Sequence, residues 1–77
     1  MSGGGTELYP ADIAEIITHS ADAREKPVIE QVQVASVDAL IDLARERSGH
    51  GHPREVIAVI NAIPVARFLG RWQWTRE

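Results

Sequence analysis

The chain has no cysteine and only four aromatic residues among its 77 positions. Without cysteine no disulfide can form, and the sequence shows no obvious metal-binding cluster, so the usual staples of a small domain are absent. A domain of this size buries only about 60% of its unfolded surface, which leaves little net stability. Because self-association is one way to gain more, we predict a homodimer.

Long apolar runs are also missing from the sequence. The run Val56–Ile60 is soon followed by Asn61, Pro64 and Arg67, and it is far shorter than the ~20 apolar residues that a membrane span needs. The first residues, 1–5, lack the basic start and the apolar stretch of a signal peptide. We therefore predict a cytoplasmic protein without a membrane contact, which the absence of cysteine also favours.

Charge is distributed unevenly, and the net charge of −3 hides this. Residues 1–43 hold eight acidic and two basic residues, whereas residues 44–77 hold six arginines and three glutamates. A strongly basic domain would have indicated nucleic-acid binding directly. This distribution permits a local basic face and no more.

Apolar spacing predicts a first helix from Pro10 to about Arg24. Its buried stripe recurs at helical spacing and consists of Ile13, Ile16, Ile17 and Ala21. Proline suits the first turn of a helix, and Pro27 would end the segment. We expect residues 1–9 to form a flexible tail and residues 10–77 to form a single domain.

The next two elements are predicted from β-branched content and from a helix cap. Residues 28–34 are rich in valine and isoleucine and roughly alternate, which is typical of a strand. Ser36 is suited to be the N-cap of a second helix that runs from Val37 to Arg47, and Gly49 is a natural stop.

The block after Glu55 fits two interpretations. Residues 56, 57, 60 and 63 could form one helix face, but the run is continuously β-branched and Pro64 would break a helix. We choose a strand at 55–60, a tight connection at 61–63 and a second strand from Val65 onward. The predicted fold is α+β: a three-stranded, mostly antiparallel sheet packed against two helices, in the order helix–strand–helix–strand–strand.

Polar residues that could bind a metal have a simpler interpretation. Four of them share one face of the predicted first helix: Asp12, Glu15, His19 and Asp22. Glu15 and His19 could reach one ion, and the loop residues His50 and His52 could join His19. A metal site needs ligands that converge from several elements, so we favour a solvated helix face and polar loop residues, and predict no cofactor.

Catalytic signatures are missing as well. The sequence contains no nucleophile elbow, no phosphate-cradling glycine loop and no metalloprotease His–Glu pair. No set of residues could fill the roles of base, nucleophile and oxyanion donor. We predict that the protein is not an enzyme.

Arginine and tryptophan are interleaved near the C-terminus. Such a set can grip a phosphate backbone and stack on bases, and it can equally form a protein-interface hot spot. The alternative places the aromatic residues in the core or in a dimer seam, with the arginines merely solvated. Our candidate contact residues for a partner or nucleic acid are Arg67, Arg71, Trp72, Trp74, Arg45 and Arg47.

From Val32 onward the order of these features resembles a known family. A short strand leads to Ser36 and an amphipathic helix, and an apolar run then leads to Pro64-Val65-Ala66. Over roughly residues 32–68 this order resembles the Phd/YefM type of antitoxin, in which a capped helix is followed by a β-hairpin. The resemblance implies a dimer that binds operator DNA through the start of the capped helix. Asp38 lies at that start and would repel phosphate, so the DNA-reading residue does not carry over.

These observations predict a non-enzymatic small regulatory protein, antitoxin-like or transcription-regulator-like. It would act by binding a partner protein, with DNA as a second ligand. The alternative is a pure protein–protein interaction module, such as a small inhibitor or adaptor, that binds no nucleic acid.

Overall fold

A computed structural model describes residues 7–9 and 11–70 of the chain. This part forms an antiparallel sheet of four strands in the order β2-β1-β3-β4, together with one helix. The elements in chain order are β1 (Ala14–Ser20), β2 (Val28–Val32), α1 (Val37–Arg47), β3 (Pro53–Ile60) and β4 (Ile63–Leu69). The described chain is therefore a small α+β unit in which a helix covers one face of a sheet.

The predicted helix at 10–24 is wrong, and with it the prediction of two helices on a three-stranded sheet. Residues 14–20 form β1, which lies between β2 and β3 and pairs with both. Ile13, Ile16 and Ile17 have helical spacing, but the segment also alternates, with Ala14 and Ile16 buried and Glu15 more exposed. The segment adopts the strand conformation because β2 and β3 pair with its two edges. These two neighbours provide hydrogen-bond partners for the backbone N–H and C=O groups of the whole segment.

Helix α1 confirms the second predicted helix, including its cap. The Ser36 hydroxyl accepts a hydrogen bond from the Ala39 backbone N–H at 3.1 Å. Leu40 and Ala44 form the buried stripe of this helix, and Arg47 ends it, as predicted. The capping bond and the amphipathic stripe are both local properties, which explains why they are readable from the sequence.

The core lies between α1 and one face of the sheet. It consists of fully or almost fully buried side chains from two strands and the helix: Ala14, Ile16, Val56, Ala58, Leu40 and Ala44. Leu8 packs against this cluster, and its backbone N–H donates to the Ala35 carbonyl at 3.1 Å. The helix and the segment at 7–9 thus lie on the same face of the sheet, which we call the helix face.

Strands β3 and β4 confirm the predicted hairpin, with slightly wider bounds. Asn61 and Ala62 connect them and have φ values of 51° and 69°. Two central residues with positive φ are the mark of a type I′ turn, whose preferred sequence is Asn-Gly. Alanine is therefore held in the left-handed region, where its Cβ is strained.

Replacing Ala62 by glycine should stabilise the protein by about 1 kcal/mol, because glycine adopts this conformation without strain. We expect the thermal midpoint to rise by roughly 4–8 °C. Scanning calorimetry of both proteins would measure the change. A midpoint that falls would show that the turn is not of the type described.

Candidate functional site

The sheet face opposite α1, which we call the open face, carries a row of aligned apolar side chains. Ile29 of β2 is directly opposite Ile17 of β1, Ile17 is opposite Ile57 of β3, and Ile57 is opposite Arg67 of β4. Side chains directly opposite each other on antiparallel strands have Cβ atoms about 5 Å apart. Three isoleucines therefore form a continuous apolar row across three strands, with a guanidinium at its end.

Apolar residues on either side widen this row. Val59 is only 5% exposed, yet it lies outside the cluster packed under α1. Alternation along β4 places Val65 and Leu69 on the same face as Arg67, and they are 40% and 55% exposed. Ile29 is 61% exposed. Among the described residues no helix covers this face, which is unusual for an apolar sheet surface.

Four ionisable side chains lie around the apolar row. Glu15 is opposite Val59, and His19 is opposite Glu55. The Arg67 guanidinium forms an ion pair with the Glu55 carboxylate, with Nε and Oε2 3.1 Å apart. With the carboxylates of Glu15 and Glu55 against the single guanidinium of Arg67, the acidic side chains of the open face outnumber the arginine by one.

Arg45 and Arg47, two predicted contact residues, lie on the side of the sheet opposite Arg67. The Arg45 guanidinium is 5.5 Å from the centre of the Phe68 ring, and it pairs with the Asp42 carboxylate at 3.1 Å. Phe68 belongs to the helix face, because it is opposite Val56. The structure therefore does not combine Arg45, Arg47 and Arg67 into one basic surface.

Arg47 joins the end of α1 to the edge strand β2 through Glu30. Both guanidinium nitrogens donate to the two carboxylate oxygens, and the Nη2–Oε2 distance is 2.9 Å. The hydrogen bonds from Arg47 lower the pKa of the Glu30 carboxyl below its ordinary value, and the pair raises the pKa of Arg47. The bidentate geometry indicates a structural role for this arginine.

This pair predicts a pH dependence of stability. Because the folded-state pKa of Glu30 is lowered, its contribution is complete above the unfolded pKa and is lost as pH falls through the folded pKa. We expect the free energy of unfolding to decrease below about pH 4, and to decrease less steeply in Glu30→Gln. Urea titrations between neutral and acid pH would measure both slopes.

The control for this prediction removes the cation instead of the carboxylate. In an Arg47→Met background the Glu30→Gln change should no longer alter the acid slope, because the hydrogen bonds that lower the pKa are gone. An equal effect of Glu30→Gln in both backgrounds would contradict the assigned pairing.

The remaining predicted contact residues, Arg71, Trp72 and Trp74, lie outside the described residues. The last described positions, Leu69 and Gly70, still lie alongside β3. Leu69 is opposite Glu55, and the Gly70 backbone N–H donates to the Arg54 carbonyl at 3.1 Å.

The polar residues considered as metal ligands are not brought together. Asp12 precedes β1 and Asp22 follows it, while Glu15 and His19 lie four residues apart along the open face. Within residues 7–9 and 11–70 no group of three His, Asp or Glu side chains could hold a metal ion. His50 lines a separate depression at the other end of the sheet.

Two shallow depressions lie at the ends of the sheet. One, of about 260 Å³, is bounded by the segment at 7–9, by Asp12 and by the end of β2. The other, of about 230 Å³, is lined by loop side chains that include Lys26, Glu25, His50 and His52. The second mixes a carboxylate with cationic and neutral groups, so neither depression favours one class of ligand.

The open face is the feature that the sequence interpretation missed. Its signal was present in β1, where Glu15, Ile17 and His19 alternate with buried residues. No helix in the described part of the chain has the length and hydropathy to cross a bilayer.

No protein-family model, curated protein or solved structure matches this chain. A functional conclusion therefore rests on the geometry of the open face.

Proposed function

We propose that the protein is a non-enzymatic regulatory module that acts by binding a partner protein through the open face. The observation that carries this proposal is the isoleucine row, in which Ile29, Ile17 and Ile57 lie side by side on a face without a covering helix. Burying such a row is favourable at about 25 cal/mol per Å² of apolar surface. A cytoplasmic location is part of the proposal, since a chain without cysteine suits a reducing compartment.

The arrangement of the face supports a protein ligand over other ligands. Its centre is apolar, and its charged residues, Glu15, Glu55 and Arg67, lie around the row. An apolar centre with a polar rim is the usual anatomy of a protein–protein interface. DNA binding has less support, because Arg67 is paired with Glu55 and the face has an excess of negative charge.

The antitoxin-like interpretation stays within this proposal as one form of regulation. An antitoxin and an adaptor both act by covering a surface of a partner protein. The structure offers the open face for either role, and the identity of the partner would distinguish them.

Affinity capture with two matched variants tests the proposal. Ile29 and Val28 are neighbours on β2 with similar exposures, 61% and 63%, but they point to opposite faces of the sheet. A partner from the native host should be recovered with the wild-type protein and with Val28→Thr. We expect its recovery to fall at least tenfold with Ile29→Thr.

Two outcomes would contradict the proposal. Equal recovery with both variants would place the contact elsewhere on the molecule. A duplex DNA that shifts at low salt, and stops shifting with Arg67→Glu, would replace the protein ligand by nucleic acid.

A further inference from the structure

We propose that the protein forms a two-fold symmetric dimer in which the outer edge of β2 pairs antiparallel with β2 of a second copy. Strand β2 is at one end of the sheet, and within the described part of the chain no strand pairs with its outer edge. Such an edge presents unpaired backbone N–H and C=O groups that another strand can bind. The inference goes beyond the proposed partner binding, because it uses a different surface and leaves the open face uncovered.

The register of the sheet identifies the backbone groups on this outer edge. The Asn61 backbone N–H donates to the Ile13 carbonyl directly across the ladder. Because bonded and non-bonded pairs alternate along antiparallel strands, the odd-numbered residues of β1 bond to β3 and the even-numbered ones to β2. Their partners on β2 are Val28, Glu30 and Val32. The backbone N–H and C=O groups of Ile29 and Gln31 therefore point outward, away from β1.

The other edge strand, β4, is protected against such pairing, whereas β2 is not. Pro64 of β4 has no N–H, and the register between β3 and β4 shifts between Ala58 and Val59. Proline and bulges are devices by which natural sheets block an edge. Strand β2 has neither, since its sequence is Val-Ile-Glu-Gln-Val and its register with β1 is unbroken. Its one charged residue, Glu30, is already paired with Arg47.

One two-fold register joins the apolar rows of the two copies. With Ile29 opposite Ile29 of the second copy, the row formed by Ile57, Ile17 and Ile29 continues directly into the second sheet. The two Ile29 residues then exchange a pair of backbone hydrogen bonds at the symmetry axis. Each Gln31 N–H can donate to the Pro27 carbonyl of the other chain, which lengthens the ladder on both sides of the axis.

The neighbouring registers are less favourable. A centre at Glu30 would place two carboxylates directly opposite each other, which destabilises an antiparallel pair. A centre one position before Ile29 would pair Ile29 with Pro27, which has no N–H to donate. A centre at Gln31 would pair Ile29 with Gln33, beyond the end of β2, and would interrupt the apolar row. An edge whose best register places an apolar residue opposite itself favours a second copy over a foreign strand.

Charge swapping at position 29 tests both the edge and the register. Ile29→Lys places two ammonium groups together at the two-fold axis, and Ile29→Glu places two carboxylates there. Sedimentation equilibrium should give the wild-type protein twice the mass of one chain and each variant the mass of one chain. An equimolar mixture of the two variants should return to the dimer mass, because lysine then lies opposite glutamate.

Val28 supplies the matched control on the neighbouring position. It is 63% exposed, against 61% for Ile29, and in the proposed register it lies opposite Glu30 of the second copy. Val28→Lys should therefore remain dimeric, whereas Val28→Glu should raise the dissociation constant of the dimer several-fold. Far-ultraviolet circular dichroism would identify any variant that fails to fold.

Amide hydrogen exchange of the wild-type chain is a second measurement that needs no substitution. Exchange at the Ile29 and Gln31 N–H groups should slow at least tenfold as the concentration is raised through the dissociation range. The Glu30 N–H, which already bonds to β1, should change much less. A wild-type monomer, or a mixture of the folded position-29 variants that stays monomeric, would overturn the inference. A dimer that leaves the exchange of Ile29 and Gln31 unchanged would also overturn it, because the contact would then lie on another surface.

Discussion

Replacing Val56 by alanine is expected to destabilise the protein by about 2–3 kcal/mol. Val56 has no exposed surface, and it lies on the helix face opposite both Thr18 and Phe68. The truncation removes two buried methyl groups and leaves a cavity that a small core cannot fill. For a domain of this size the thermal midpoint should fall by roughly 10 °C or more.

The control for Val56→Ala is Val28→Ala, because Thr18 of β1 lies between the two valines. Val28 is also opposite Thr18 and on the helix face, but it belongs to the edge strand and is 63% exposed. Val28→Ala removes the same atoms with the same loss of strand propensity, and should destabilise by less than about 1 kcal/mol. Urea unfolding of both variants measures the difference, and equal losses would contradict the described core.

The second large effect is expected for Asn61→Ala, which should lower the free energy of unfolding by about 1–2 kcal/mol. Its side-chain oxygen accepts from the Ile13 backbone N–H at 2.9 Å, and its side-chain nitrogen donates to the Asp12 carboxylate at 3.0 Å. Its own backbone N–H donates to the Ile13 carbonyl at 2.8 Å. Asn61 thus fastens the chain before β1 to the β3–β4 turn, and alanine loses this connection while retaining φ near 51°.

Comparison with Asn61→Gly separates the loss of the side-chain amide from the backbone strain at positive φ. Glycine relieves the backbone strain but also lacks the amide, so it should be less destabilising than alanine and still less stable than wild type. The Asp12 carboxyl has a pKa below its ordinary value, chiefly because the Tyr9 backbone N–H donates to it and secondarily because Asn61 does. A glycine variant as stable as the wild-type protein would show that the amide bonds contribute nothing.

Local signals explain which elements could be predicted. Helix α1 begins at a serine cap and buries every third or fourth residue, and both properties depend on neighbours in the sequence. The hairpin of β3 and β4 follows from β-branched runs on either side of a short connection. In β4, Phe68 lies on the helix face opposite Val56, and Arg67 lies on the open face opposite Ile57.

Strand β1 could not be predicted in the same way, because its spacing of isoleucines suits a helix as well as a strand. The decision comes from residues far away in the sequence. Ile16 is opposite Ala58 of β3, and Ile17 is opposite Ile57. Tertiary pairing overrides a helical pattern when the segment gains partners on both of its edges.

The apolar block near the C-terminus and the set of arginines are determined by the sequence, and so are the capped helix and the hairpin. Only the tertiary structure decided that Ile29, Ile17 and Ile57 align into one row, since each comes from a different strand. It also decided that Arg45 and Arg67 lie on opposite sides of the sheet. A sequence specifies which side chains are apolar, but a surface forms only when strand register brings side chains from distant segments together.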